Sequence, residues 1–279
     1  MDTESAFAEI TDDITNGRKD QAVQKVMDLV STDTSAFTLI KSISFLKVIN
    51  ESNRIDEVID ILLSSLPDDQ ESRVQIAGAL NGLEMPRIAY GILKEMPVSD
   101  AILRLSSVCL FDMEEYESAL EKLNQIDSMN INDRILLCST LSSLGEHTDA
   151  VYDAEKLLSE FPDVYDVRAS YIGTLMLAGK NKDVVKYARA ALKEKTADAN
   201  ALAAYAMRIS GNIKAAAGYA SRAIQMDNSN IPAMETLGLC LAEKGEIDKA
   251  KIIAGAINEL SPGNKAAVNI ISYCNTFLK

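Results

Sequence analysis

The chain has 279 residues, 47% of them apolar and only 5% aromatic, with no Trp. Its 41 Asp and Glu against 28 Lys and Arg leave a net charge of −13. A nucleic-acid backbone or an anionic membrane surface is held by Lys and Arg, so neither is expected as a partner.

An Ala- and Leu-rich composition without β-branched and aromatic alternation points to close-packed helices rather than sheet. The opening stretch, MDTESAFAEITDD, carries acid where a secretory leader carries base and an apolar core. No apolar run reaches the ~18 residues of a membrane span. Cys109, Cys138, Cys240 and Cys274 are too far apart for a local metal knuckle. They fall on or near apolar stripes, which suits reduced core thiols and a cytoplasmic location.

Residues 2–34 read as a first helix pair. Phe7, Ile10 and Ile14 form one stripe, Gly17 breaks the chain, and Ala22, Val23, Val26, Leu29 and Val30 form the return stripe. Residues 35–67 give a second pair, with helices over 37–49 and 55–66 and Pro67 as the stop. Residues 69–98 give a third, with Pro86 placed to open a helix. Residues 99–130 give a fourth, in which MEEYESALEKL is the strongly helical second member.

From residue 131 the pattern tightens into stretches 131–164, 165–196, 197–230 and 231–264. Laid one under the other, the last two align Ala204 with Gly238, Gly211 with Gly245, Ala216 with Ala250 and Ala220 with Ala254. The offset of about 34 residues marks a helix–turn–helix repeat. Extended backwards, the column of Ala250 and Ala216 runs through Val184, Ala150, Ala119, Ala89, Val58 and Ala22. Each sits early in a second helix, where a small side chain lets that helix approach the first. Gly145, Gly179, Gly211 and Gly245 each follow a first helix, where a chain turning left-handed wants no Cβ. The repeat period changes near Asn130–Asn132, and Asn is a poor helix former, so a joint is expected there. Residues 265–279 read as a closing helix, with Ala267, Ile270, Ile271, Cys274, Phe277 and Leu278 along its covered side. The other side is polar and almost uncharged, so a self-association helix is the alternative.

At these columns the sequence resembles the tetratricopeptide repeat family. The last stretch offers Met234, Leu237, Gly238, Leu241, Gly245, Ala250, Ala254 and Pro262. Stretches 131–164 and 165–196 offer Leu137, Leu141, Gly145, Ala150, Ala154 and Pro162, then Tyr171, Leu175, Gly179, Ala188 and Ala191. Residues 1–130 match only in helix-pair rhythm and small-residue column, as degenerate repeats. The resemblance implies an all-α, right-handed α-solenoid of antiparallel helix hairpins. It also implies a non-enzymatic scaffold whose first helices line a groove for a peptide or helix. Carried over by position, that groove presents Ile135, Ser139 and Ser142, then Ala169, Gly173 and Met176. Ala201, Tyr205 and Arg208 follow, then Glu235, Leu239 and Glu243. Where one subclass clamps a C-terminal carboxylate with Lys and Asn, this chain has Ala169, Gly173, Ala201 and Tyr205, so that clamp is absent. Met176 and Tyr205 fit equally as packing residues on a helical stripe.

Charge is uneven. Residues 165–196 are the basic stretch, carrying Arg168, Lys180, Lys182, Lys186, Arg189, Lys193 and Lys195. Lys182, Lys186, Arg189 and Lys193 recur at helical spacing and form a candidate ridge for an acidic partner, or for the acidic half of a second copy. A plain solvated face is the alternative. The chain has one histidine, His147, expected in an exposed turn. No glycine-rich phosphate loop, paired-Cys motif or HExxH helix occurs, so no cofactor, metal or catalytic set is expected. The sequence points to a protein-binding scaffold or adaptor, with a self-assembling subunit as the alternative and a homodimer as one possible state.

Overall fold

The structure, a computed structural model, describes residues 3–276. Among these it is all-α, and the chain divides into two compact units, 1–127 and 128–279. Phe277 and Leu278 lie outside the described residues.

The first unit holds four helix pairs. They are α1 (Thr3–Thr15) with α2 (Lys19–Thr32), α3 (Ala36–Val48) with α4 (Ser52–Ser64), α5 (Gln70–Gly82) with α6 (Pro86–Leu93), and α7 (Asp100–Asp112) with α8 (Tyr116–Leu123). The second unit holds four more and a closing helix. They are α9 (Ile131–Ser143) with α10 (His147–Glu160), α11 (Tyr165–Leu177) with α12 (Asn181–Ala191), α13 (Ala197–Ile209) with α14 (Ile213–Met226), α15 (Ile231–Glu243) with α16 (Ile247–Leu260), and finally α17 (Lys265–Thr276). Each unit is thus a stack of antiparallel hairpins, the helical solenoid architecture.

One register runs through all eight pairs. Every first helix, α1 through α15, is 13 residues long. At the same place after each, one residue turns left-handed: Gly17, Asn50, Glu84, Glu114, Gly145, Gly179, Gly211 and Gly245, with φ between +59° and +81°. This conformation lets the chain reverse within a few residues and satisfies the last carbonyls of the helix, as when Gly211 N donates to Arg208 O. The drift in repeat length therefore lies elsewhere. Helices α6 and α8 have only 8 residues, whereas α10, α14 and α16 have 14. Where α6 and α8 stop short, Met96 and Ile126 fold in and finish the apolar cover.

The small-residue column does the packing expected of it. Ala22, Val58, Ala89, Ala119, Ala150, Val184, Ala216 and Ala250 are each 0% exposed. Around the column the first unit buries large aliphatics, among them Ile10, Leu39, Ile43, Leu46, Leu62, Leu80 and Leu93. The second unit relies more on alanine. In α13 the run from Ala199 to Ala204, and Ala206 after it, is buried on all sides. Small side chains there let neighbouring helices close in from every direction.

The joint expected near Asn130–Asn132 falls beside the boundary between the two units, at residues 127 and 128. Asn130 itself caps α9, its side chain accepting from Asp133 N while the Asp133 carboxylate accepts from Asn130 N, a reciprocal cap that poor helix formers make well. Two other local expectations change. His147 is no exposed turn residue. It is the first residue of α10 and half-buried, with Nδ1 out of reach of water and of any hydrogen-bond partner. Ile271 is 37% exposed, because α17 turns Ala266, Ala267, Ile270 and Cys274 towards α15 and α16 and leaves Val268 and Ile271 outside.

Candidate docking surfaces

Two surfaces of the second unit answer to the sequence. The first is the inner face, where the odd-numbered helices meet side by side. Ile135, Ser139, Gly173, Met176, Tyr205, Arg208, Glu235 and Leu239 all fall there, and all are half-buried. Ser142 and Ala201, expected beside them, are buried.

Much of this face is filled by its own side chains. The Tyr205 hydroxyl lies against Gly173, 3.3 Å from where a Cβ would stand, so the glycine leaves room for the phenol. Tyr165 of α11 packs onto Ala201, Ala223 and Ala233, which covers Ala201 completely. Burial pushes the Tyr165 and Tyr205 phenols up, with Tyr205 and Glu235 adding to the effect on Tyr165. Arg208 Nη2 pairs with Glu243 Oε1 at 2.8 Å, and its guanidinium stands 5.8 Å from the Tyr273 ring centre. The Tyr273 hydroxyl donates to the same Glu243 Oε1 at 3.5 Å. Asn269 Nδ2 donates to Glu235 Oε1 at 2.8 Å. The polar groups of α13 and α15 are therefore largely spent on one another and on α17. Met176 and Tyr205 pack against the core cluster of α11 to α13, and Leu239 against that of the last repeat. The stretch over α9 and α11 is more open: Ser139 Oγ only donates to Ile135 O, and Leu177 is 58% exposed.

The second surface is the outer face of α12. Lys182, Lys186, Arg189 and Lys193 are all exposed; the first three share one side of α12, and Lys193 follows in the short 3-10 turn Leu192–Glu194. Together with Asn181, Val185 and Ala190 they line a shallow depression. None of the four has a hydrogen-bond or ion-pair partner among the described residues. Arg168 leaves this group. It is 8% exposed and turned inward from α11, with Nη1 and Nη2 on the Glu194 carboxylate at 3.0 and 2.6 Å and Nε on the Tyr187 hydroxyl at 3.2 Å. It pins the end of α12 instead of offering charge to solvent.

Sequence reasoning missed how the inner face is filled. A signal was available: the ninth residue of successive first helices reads Ser139, Gly173, Tyr205, Leu239, and Tyr273 in α17. Small residues give way to large ones along that column, and a large side chain beside a small one fills the space between helices.

The four cysteines are buried and unpaired. Burial pushes the Cys109 thiol up to about 12 and those of Cys138 and Cys240 to about 11, and raises Cys274 as well. Such thiols stay protonated and inert near neutral pH. Among the described residues no three His, Cys, Asp or Glu side chains group to hold a metal ion, and no helix is long and apolar enough to cross a membrane.

No protein-family model matches the chain, and no curated protein matches it in sequence. Solved structures do match in shape. A tetratricopeptide repeat protein from Parabacteroides merdae superposes with a TM-score of 0.51 at 14% identity, covering 85% of this chain and 98% of that one. Yeast Tom70 superposes with a TM-score of 0.50, also at 14% identity, over 92% of this chain and 58% of its own. With its eight hairpins in one register, its buried small-residue column and these neighbours, the chain has the fold of the tetratricopeptide-repeat proteins.

Proposed function

We propose that the chain is a non-enzymatic protein-interaction scaffold that docks an acidic segment of a partner protein on the outer face of α12. One observation carries this reading. Lys182, Lys186 and Arg189 on one face of α12, and Lys193 just after it, stand exposed and unpaired, while on the inner face Arg208 is paired with Glu243 and Glu235 with Asn269 of α17. A surface whose charges are already satisfied gains little from a ligand, whereas four free cations gain with each carboxylate they meet. Exposed pairs contribute about 0.2–1 kcal/mol each, so the affinity is modest and depends on salt. The buried, unpaired thiols suit a reducing compartment such as the cytoplasm.

A fluorescence-anisotropy titration with a labelled Glu-rich peptide tests the reading. Binding is expected at low salt, weakening ~10-fold or more in Lys186→Glu/Lys193→Glu and unchanged in Tyr205→Ala/Arg208→Ala. Equal binding by the ridge variant would remove α12 as the site.

A second reading has its own observation. Leu177, exposed beside Met176, Gly173, Ser139 and Ile135, leaves an apolar landing on α9 and α11 that suits an amphipathic helix of a partner. Binding there is insensitive to salt and is lost in Leu177→Glu.

A further inference from the structure

The two units differ sharply in charge. Residues 1–127 carry 24 Asp and Glu against 11 Lys and Arg, while residues 128–279 carry 17 of each. The whole excess of −13 therefore belongs to the first unit. Much of its acid is already engaged. Asp12 and Asp13 bind Arg18, Asp13 also binds Lys25, Glu51 binds Lys19, Glu57 binds Arg54 and Glu84 binds Lys47.

The densest set without partners is local. Glu114, Glu115, Glu117 and Glu121 lie at the start of α8 and along it, all exposed, and none has a side-chain partner among the described residues. Glu117 and Glu121, four apart, share one helix face. At 1.5 Å per residue Glu117 and Glu121 stand about 6 Å apart along α8, and Lys182 to Arg189 cover about 10 Å of α12. Each set is of a single sign, each lies on or next to a second helix of its repeat, and each is without ion-pair partners within its own unit among the described residues.

We propose that the α12 ridge of one copy docks against the α8 acid face of a second copy of this chain. The proposal rests on the reading of α12 as a docking surface and names its occupant. Two α12 ridges repel each other, and so do two α8 faces, so like surfaces cannot meet. The contact is therefore between unlike surfaces, made twice where two copies pair reciprocally about a two-fold axis, or once per copy in head-to-tail rings or open chains. Its energy comes from exposed charges across a Debye length of roughly 8–10 Å, so added salt dissolves it.

The test is light-scattering mass of the full chain across a concentration series, at about 20 mM and about 300 mM salt. At low salt the mass is expected to rise above the monomer's 30.3 kDa with concentration, and to return to it at high salt. Lys186→Glu/Lys193→Glu and Glu117→Lys/Glu121→Lys should each weaken association ~10-fold or more, and an equimolar mixture of the two variants should associate again. A monomer at every concentration in low salt overturns the proposal, as does a mixture that fails to associate. If the Glu-rich peptide still binds α12 in that case, only the second copy falls. If the peptide fails too, the ridge reading falls with it.

Discussion

Glu84 and Glu114 hold φ at +59° and +62°, the turn conformation that four repeats of the second unit give to glycine. Left-handed backbone costs a residue with a Cβ about 1–2 kcal/mol, and part of this is recovered when glycine replaces it. Glu114 has no side-chain hydrogen bond or ion pair among the described residues that would be lost. Glu114→Gly is therefore expected to stabilise the protein by about 0.5–1 kcal/mol, seen as a higher midpoint in a circular-dichroism melt. The reverse change, Gly211→Val, should cost about 1–3 kcal/mol. A lower midpoint for Glu114→Gly would show that the turn stores no strain. The glycine turns could be read in the sequence because glycine announces them. Those at Glu84 and Glu114 could not, because hairpin packing on both sides holds them in a conformation that their own preferences oppose, whereas Asn50 is a residue type that tolerates it.

At the scale of the element, α17 is held by shape as well as by apolar area. A Cβ on Gly238 would meet Ile270 Cδ1 at 2.5 Å, Cγ1 at 3.0 Å and Cγ2 at 3.3 Å, so the whole Ile270 side chain occupies the space that the glycine vacates. Gly238→Val should cost about 1–3 kcal/mol by overpacking. In an Ile270→Ala background the penalty should shrink by at least about 0.5 kcal/mol, because the two side chains compete for one volume. Denaturant titrations of the four proteins decide it, and strictly additive costs would mean that the residues do not share that space. Asn269 to Glu235 and Tyr273 to Glu243 add polar ties at the inner edge of the same helix. The sequence located α17 and its buried Ala267, Ile270 and Cys274, but misplaced Ile271. A stripe of six apolar residues is broader than the contact that two neighbouring helices can cover.

For the whole molecule, charge is the property that separates the two units. The 24 acidic and 11 basic residues of 1–127 repel one another on balance, while 128–279 is balanced at 17 of each. Screening should relieve the first unit and leave the second nearly unchanged. Amide hydrogen exchange compared at about 20 mM and about 300 mM salt is expected to slow within 3–127 and to stay level within 128–276. Equal slowing in both would assign the effect to salt acting on the protein surface in general.

The sequence alone determined the helix pairs and the column of small residues that spaces them. Both follow from local rules: helical periodicity, glycine and proline as stops, and alanine wherever two helices touch. It also located the basic stretch, because charge is countable. Only the tertiary structure decided which charges remain free. Arg168 and Lys186 look alike in sequence, yet one is folded in against Glu194 and Tyr187 while the other stands in solvent. Likewise only the packing of α11, α13, α15 and α17 decided that Tyr205 lies on Gly173 and that Arg208 pairs with Glu243. These outcomes depend on distances between residues some 30 positions apart, which periodicity brings near but does not orient.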